Sequence, residues 1–189
     1  NTSSVVGGEA IQLSGQATDV ETGEAAPFEF VTIEAEIDGT TRTIDVLTDI
    51  TGQWSTSFTT LPGQGGTLSL NAHHPGNPGE DAAPEATVDI FGMDILEDYV
   101  TFEVVNGQSG TLSLTLDNFG DLDLTGLTAT IEGLPTSWNV TPVMEATTLA
   151  GDGTITLDLN ATMPEVTAYD FTDVVVRVTS DQGAETSAN

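Results

Sequence analysis

Leu112, Leu114 and Leu116 alternate with Thr111, Ser113, Thr115 and Asp117, and Leu127, Ala129 and Ile131 alternate with Thr128, Thr130 and Glu132. Successive strand side chains point to opposite faces, so each run has one apolar and one wet face, the signature of an antiparallel sheet covered on one side. Asn118-Phe119-Gly120-Asp121 lies between them and is turn chemistry: Asn and Asp bond their own backbone, and Gly tolerates positive φ. Read together, Gly110 to Trp138 forms one face of a β-sandwich.

The same period runs along most of the chain. Ile11 and Leu13 open a first strand. Val31, Ile33, Ala35 and Ile37 alternate with Thr32, Glu34 and Glu36 and run into Asp38-Gly39, a strong hairpin signal, with Thr40 to Leu47 as the returning strand. Trp54, Thr56 and Phe58 share a face, as do Leu68, Leu70 and Ala72, and Thr87 to Phe91 completes a first set. Val100, Phe102 and Val104 begin a second set, which continues through Ile155, Leu157 and Leu159 to Val174, Val176 and Val178. No segment shows helical periodicity over ten or more residues. Short strands between frequent turn signals predict an all-β chain of two tandem Ig-like antiparallel β-sandwich domains, at 1–92 and 99–189, joined by a hinge at 93–98.

The segments Gly15–Asp19, Thr48–Trp54 and Gly66–Gly76 resemble the carboxypeptidase-regulatory-like and bacterial Ig-like repeats of extracellular proteins. Leu114–Gly120, Gly133–Trp138 and Leu149–Ile155 are similar to the NEW3 and CARDB group of Ig-like domains. Those families serve as spacers, adhesive modules and accessory domains, so the resemblance implies fold more than site.

Charge changes the picture most. Asp and Glu number 30 against 2 Lys and Arg, a net charge of −28, and the only basic residues are Arg42 and Arg177. Nucleic acid and anionic membranes are repelled by such a surface. A saline or calcium-rich exterior screens its self-repulsion. Hydrophobic residues at 38% in regular alternation argue against disorder. Without Cys there is no disulfide or thiolate chemistry, and without Lys there is no Lys–Asn isopeptide staple. No apolar run approaches the roughly 18 to 20 residues of a membrane span. The start at Asn1-Thr-Ser reads as an internal or processed portion of an exported protein.

Candidate chemistry is sparse. Asp121, Asp123, Thr125 and Glu132, with Gly126, fall on the first, third, fifth, twelfth and sixth positions of a calcium loop, yet the flanks alternate as strands and not as the helices of an EF-hand. Asp94, Glu97 and Asp98 form a second acidic set at the hinge. Calcium is the cofactor either set would take; solvated acidic loops account for the same residues. His73 and His74 point to opposite faces of an extended strand, a poor zinc pair. Trp54 and Trp138, with Tyr99 and Tyr169, suit either sugar stacking or core packing, and the alternation of Trp54 with Phe58 favours core. Asn1, Asn139 and Asn160 open glycosylation sequons. No nucleophile elbow, P-loop or dinucleotide fingerprint occurs.

The expectation is therefore a non-catalytic extracellular structural or adhesive module in a larger surface protein, surface layer or filament. Its partners would be neighbouring domains or identical subunits, with Asn1–Val6 and Gln182–Asn189 free for strand addition. The alternative is an accessory carbohydrate-binding module of a secreted glycoside hydrolase or peptidase, with polysaccharide as partner.

Overall fold

The computed structural model describes residues 4–76, 84–97, 99–165 and 172–189. They are all-β. The first half contains β1 (Ser4–Val6), β2 (Ala10–Gln16), β3 (Phe30–Ile37), β4 (Thr40–Leu47), β5 (Gln53–Thr59), β6 (Gly66–His73) and β7 (Ala86–Phe91). A five-stranded sheet, β1-β7-β6-β3-β4, faces the two-stranded sheet β2-β5. The inward residues of both, among them Ile11, Ile33, Ile37, Phe58, Leu68 and Ile90, form one buried cluster. Alternation produces this directly, because every second side chain of each strand meets the opposite sheet. Asp38 and Gly39 have φ of 49° and 68°, the two positive values that a twisted two-residue hairpin requires.

The second half contains β8 (Asp94–Ile95), β9 (Ser109–Asp117), β10 (Thr128–Glu132), β11 (Asn139–Met144), β12 (Thr154–Thr162), β13 (Val175–Thr179) and β14 (Glu185–Ala188). Sheet β11-β12-β9-β8 faces sheet β10-β13-β14 across a separate core that includes Leu116, Leu124, Leu149, Leu157 and Val178. Pro142 lies in β11, at the edge of its sheet, where a missing N–H is tolerated.

The structure departs from the sequence expectation in four places. The Leu112–Leu116 and Leu127–Ile131 runs do not share a sheet; they lie in the two facing sheets, so the crossing between them spans the sandwich. The described part of the expected hinge, residues 93–97, belongs to the second sandwich: Met93 and Ile95 are 1% exposed in its core, and β8 pairs with β9. Val100 to Val104 forms no strand. Finally, both terminal segments pair within the chain. Ser4–Val6 runs parallel to Asp89–Phe91, and Glu185–Ala188 pairs with Val176–Thr179.

Candidate functional site

Two regions hold the features that sequence alone cannot place: the contact between the sandwiches, and the pole of the first sandwich that points away from it.

At the contact, backbone meets backbone. Gly65, Gly66, Gly92 and Gly120 are all buried. A Cβ on Gly65 would lie 3.0 Å from Gly120 Cα, and one on Gly120 would lie 2.7 Å from the carbonyl carbon of Gly65. A Cβ on Gly92 would collide with the carbonyl oxygens of Gly63 and Gln64. Only glycine permits approach this close, which is why these positions carry no side chain. Val6 and Phe91 pack on the second core although they belong to strands of the first sandwich. Thr67 donates its hydroxyl to Asp121 across the contact at 3.4 Å.

Asn118 organises the second sandwich's share of this contact. It is 1% exposed. Its Nδ2 donates to the carbonyls of Leu122 at 2.7 Å and Ala150 at 3.2 Å, and its Oδ1 accepts from Gly120 N at 3.1 Å. One buried amide thus satisfies the backbone of the crossing between sheets and holds Gly120 against Gly65.

The opposite pole of the first sandwich is built from the β2–β3 and β4–β5 connections and the adjoining strand ends. Two of its turns repeat one arrangement. Asp19 Oδ1 accepts from the backbone N–H of Glu21 and Thr22 and from the Thr22 hydroxyl; Asp49 Oδ1 accepts from the N–H of Thr51 and Gln53 and from the Thr51 hydroxyl. Gly23 and Gly52 then take φ of 73° and 76°. The Thr22 backbone bond foremost holds the Asp19 carboxyl below its ordinary value, and the Thr51 hydroxyl foremost does so for Asp49. In each turn the residue after Asp is aliphatic and projects outward: Val20 is 98% and Ile50 75% exposed. Thr48 is buried and ties the neighbouring loop down, donating to the Ala26 carbonyl at 2.8 Å and accepting from Glu29 N at 2.9 Å. Between those anchors Phe28 is exposed at a φ of 59°, a conformation that costs a bulky residue on the order of 1–3 kcal/mol. Phe30 and Leu47, cross-strand partners, also face outward.

A cleft of about 1150 Å³ opens at the same end, lined by core residues such as Ile11, Leu13 and Val88 and by Trp54 and His73. Trp54 is half-buried on the first core, and its indole covers Gly15 on the partner strand, where a Cβ would lie 2.6 Å from the ring. Gly15 thus makes room for the indole, a pairing invisible in either residue alone. His73 Nε2 lies 3.2 Å from Glu34 Oε1, close enough to attract a protonated imidazole but without hydrogen-bond alignment. Its Nδ1 is 3.1 Å from the His74 carbonyl, and that bond foremost raises the His73 pKa above its ordinary value. His74 is exposed, with Nε2 3.9 Å from Glu29.

The predicted acidic ligands are dispersed into separate bonds. Asp121 meets Thr67, Asp123 accepts from Gly151 N at 3.0 Å, the Thr125 hydroxyl accepts from Gln182 at 2.9 Å, and Glu132 pairs with Arg177. Arg177 also contacts Glu185. Asp94 accepts from the Thr186 hydroxyl, and Glu97 accepts from both the N–H and hydroxyl of Thr115. Asp98, Asn1 and Tyr169 lie outside the described residues. Among the described residues, no three His, Asp or Glu side chains gather as a metal site would. Asn139 is exposed at the start of β11; Asn160 is exposed and accepts from the Thr111 hydroxyl at 2.7 Å. Trp138, expected in the core, is half-buried and is not among the described side chains packed on the second core. Among the described residues, no helix is long and apolar enough to cross a membrane.

No protein-family model matches the chain, and no curated protein does. Among solved structures it is similar to the adhesin InvE of Yersinia pseudotuberculosis, at 14% identity and a TM-score of 0.41 over 99% of this chain and 55% of that one. It is similar to BcpA, the major pilin subunit of Bacillus cereus, at 9% identity and a TM-score of 0.35 over 96% of this chain and 68% of that one. Invasin, a bacterial integrin-binding protein, matches at 17% identity and a TM-score of 0.35 over 97% of this chain and 36% of that one. The chain therefore spans about half the length of InvE and about a third of invasin. The all-β fold class rests on the strand pairing itself.

Proposed function

We propose that this chain is a non-catalytic structural and adhesive module of a surface-exposed protein, a stiff two-domain spacer that presents the far pole of its first sandwich. The observation that carries this reading is the glycine-packed contact. A flexible linker leaves glycine in solvent, whereas here Gly65, Gly92 and Gly120 are buried against backbone from the other side of the contact or from an adjoining loop. A persistent distance between two ends is what such packing provides. The net charge of −28 agrees with an extracellular, saline setting. The carbohydrate-binding alternative draws less support, because the Trp54 indole is already laid over Gly15.

Amide ¹⁵N relaxation tests the reading. Both sandwiches should tumble with one correlation time in the native chain. Gly120→Val, which places side-chain atoms where the backbone of Gly65 and Gly66 sits, should give two shorter times while both halves stay folded. Independent tumbling in the native chain would refute the spacer.

A further inference from the structure

We infer that the pole carrying Val20, Phe28, Phe30, Leu47 and Ile50 is a docking surface for a protein segment that presents apolar side chains flanked by Lys or Arg. The inference deepens the proposed function, since it rests on the chain being a binding module and not an enzyme.

The apolar character is not incidental to one residue. Five large hydrophobic side chains, each about half exposed or more, occur on two connections and the strand ends that adjoin them. The loops that present them are held by Asp19, Asp49 and Thr48, so the surface is pre-formed and loses little freedom on binding. A single exposed apolar residue is ordinary, but five on and beside two connections at one pole supply the apolar surface that an interaction site needs.

Charge selects the occupant. The same connections carry Asp19, Glu21, Glu24, Glu29 and Asp49, and no Lys or Arg. Both arginines are committed elsewhere: Arg42 donates to the Thr59 carbonyl at the contact end of β4, and Arg177 pairs with Glu132 and Glu185 in the second sandwich. A second copy of this chain would set these carboxylates against the same carboxylates. A cationic, apolar segment satisfies both the rim and the centre. Val20, Leu47 and Ile50 offer nothing for a sugar ring to stack on, whereas the exposed rings of Phe28 and Phe30 do, so an oligosaccharide is the competing occupant that the titration must exclude.

The test uses methyl- and amide-labelled full chain titrated with a synthetic peptide of alternating Leu and Lys, with a Leu–Glu peptide and oligolysine as controls. The Leu–Lys peptide should shift the Val20, Leu47 and Ile50 methyl signals. The double variant Val20→Ser/Ile50→Ser, which preserves charge, should weaken its binding about tenfold, while Val105→Ser on the second sandwich should not. Circular dichroism and ¹⁵N relaxation of the double variant should match the native chain, which separates this proposal from the spacer reading. Equal binding of oligolysine, unchanged affinity of the double variant, no shift at the pole, or saturable shifts there with an oligosaccharide instead would each overturn the assignment.

Discussion

The first sandwich sets five strands against two, whereas the second sets four against three. The unequal layers leave the first with a cleft, an indole covering a glycine, and loops whose apolar residues point outward. The second closes its crossing with the buried amide of Asn118 and threads Leu124 and Leu149 through it as a mutual backbone bridge. One alternating pattern thus supports two layer ratios; both sandwiches leave large apolar side chains in solvent, and the first carries five of its own on and beside the two connections at the far pole. Docking belongs at that pole, where surface is not consumed by folding.

Substitutions break or sharpen this contrast. The largest effect is expected from Phe58→Ala: its ring is 1% exposed at the centre of the two-stranded sheet's contribution, and its loss should destabilise the first sandwich by about 3–5 kcal/mol. Denaturation monitored separately in each half will show whether the second sandwich melts with it; if both fall together, the contact couples them thermodynamically as well as geometrically. Asn118→Ala comes next, at about 1–3 kcal/mol, because the part-buried carbonyls of Leu122 and Ala150 lose the donor supplied by a buried amide. That variant should loosen the second sandwich and the contact, and sparing of both in hydrogen exchange would show that the amide is dispensable.

Arg42→Gln should cost about 1 kcal/mol, confined to the first sandwich. Its guanidinium sits 4.6 Å above the Phe58 ring and donates to Thr59 O, bridging the two sheets at the edge opposite the cleft. A melting temperature unchanged in low salt would argue against that bridge. The smallest effect belongs to His73. Its folded pKa is raised, so its contribution is fully present below the unfolded value of 6.5 and fades as the pH rises through the folded value. His73→Gln should therefore show a stability deficit that is largest below pH 6.5 and narrows as the pH rises above it. A deficit that widens with pH would reverse the assigned sign.

Much of the fold is legible in the sequence because alternation reports which face a side chain takes. Val31 to Ile37, the Asp38-Gly39 turn and Leu112 to Leu116 are read correctly on that basis. Alternation does not report which strand is the neighbour, so the runs on either side of Asn118 are assigned to one sheet when they face each other. It also fails for strands of two to four residues, which is why Asp94–Ile95, Ser4–Val6 and Glu185–Ala188 pass as hinge and free ends. The contact was hidden for a different reason. Gly65, Gly92 and Gly120 read as turn breakers, and only tertiary proximity reveals them as packing positions. The pole had a faint signal: Asp19-Val-Glu-Thr-Gly23 and Asp49-Ile-Thr-Gly52 both place an aliphatic residue directly after a turn-forming Asp, against the usual polarity of turns.

The pairing of the terminal strands has a consequence under tension. β1 runs parallel to β7 toward the contact, and β14 leaves the contact, beginning beside Val6, and runs antiparallel to β13. Pulling outward on both ends slides each terminal strand lengthwise past its partner. Every hydrogen bond of the pair is then strained at once, in shear, instead of one after another as in unzipping. Tension applied between Ser4 and Ala188 would therefore load both terminal strand pairs in shear.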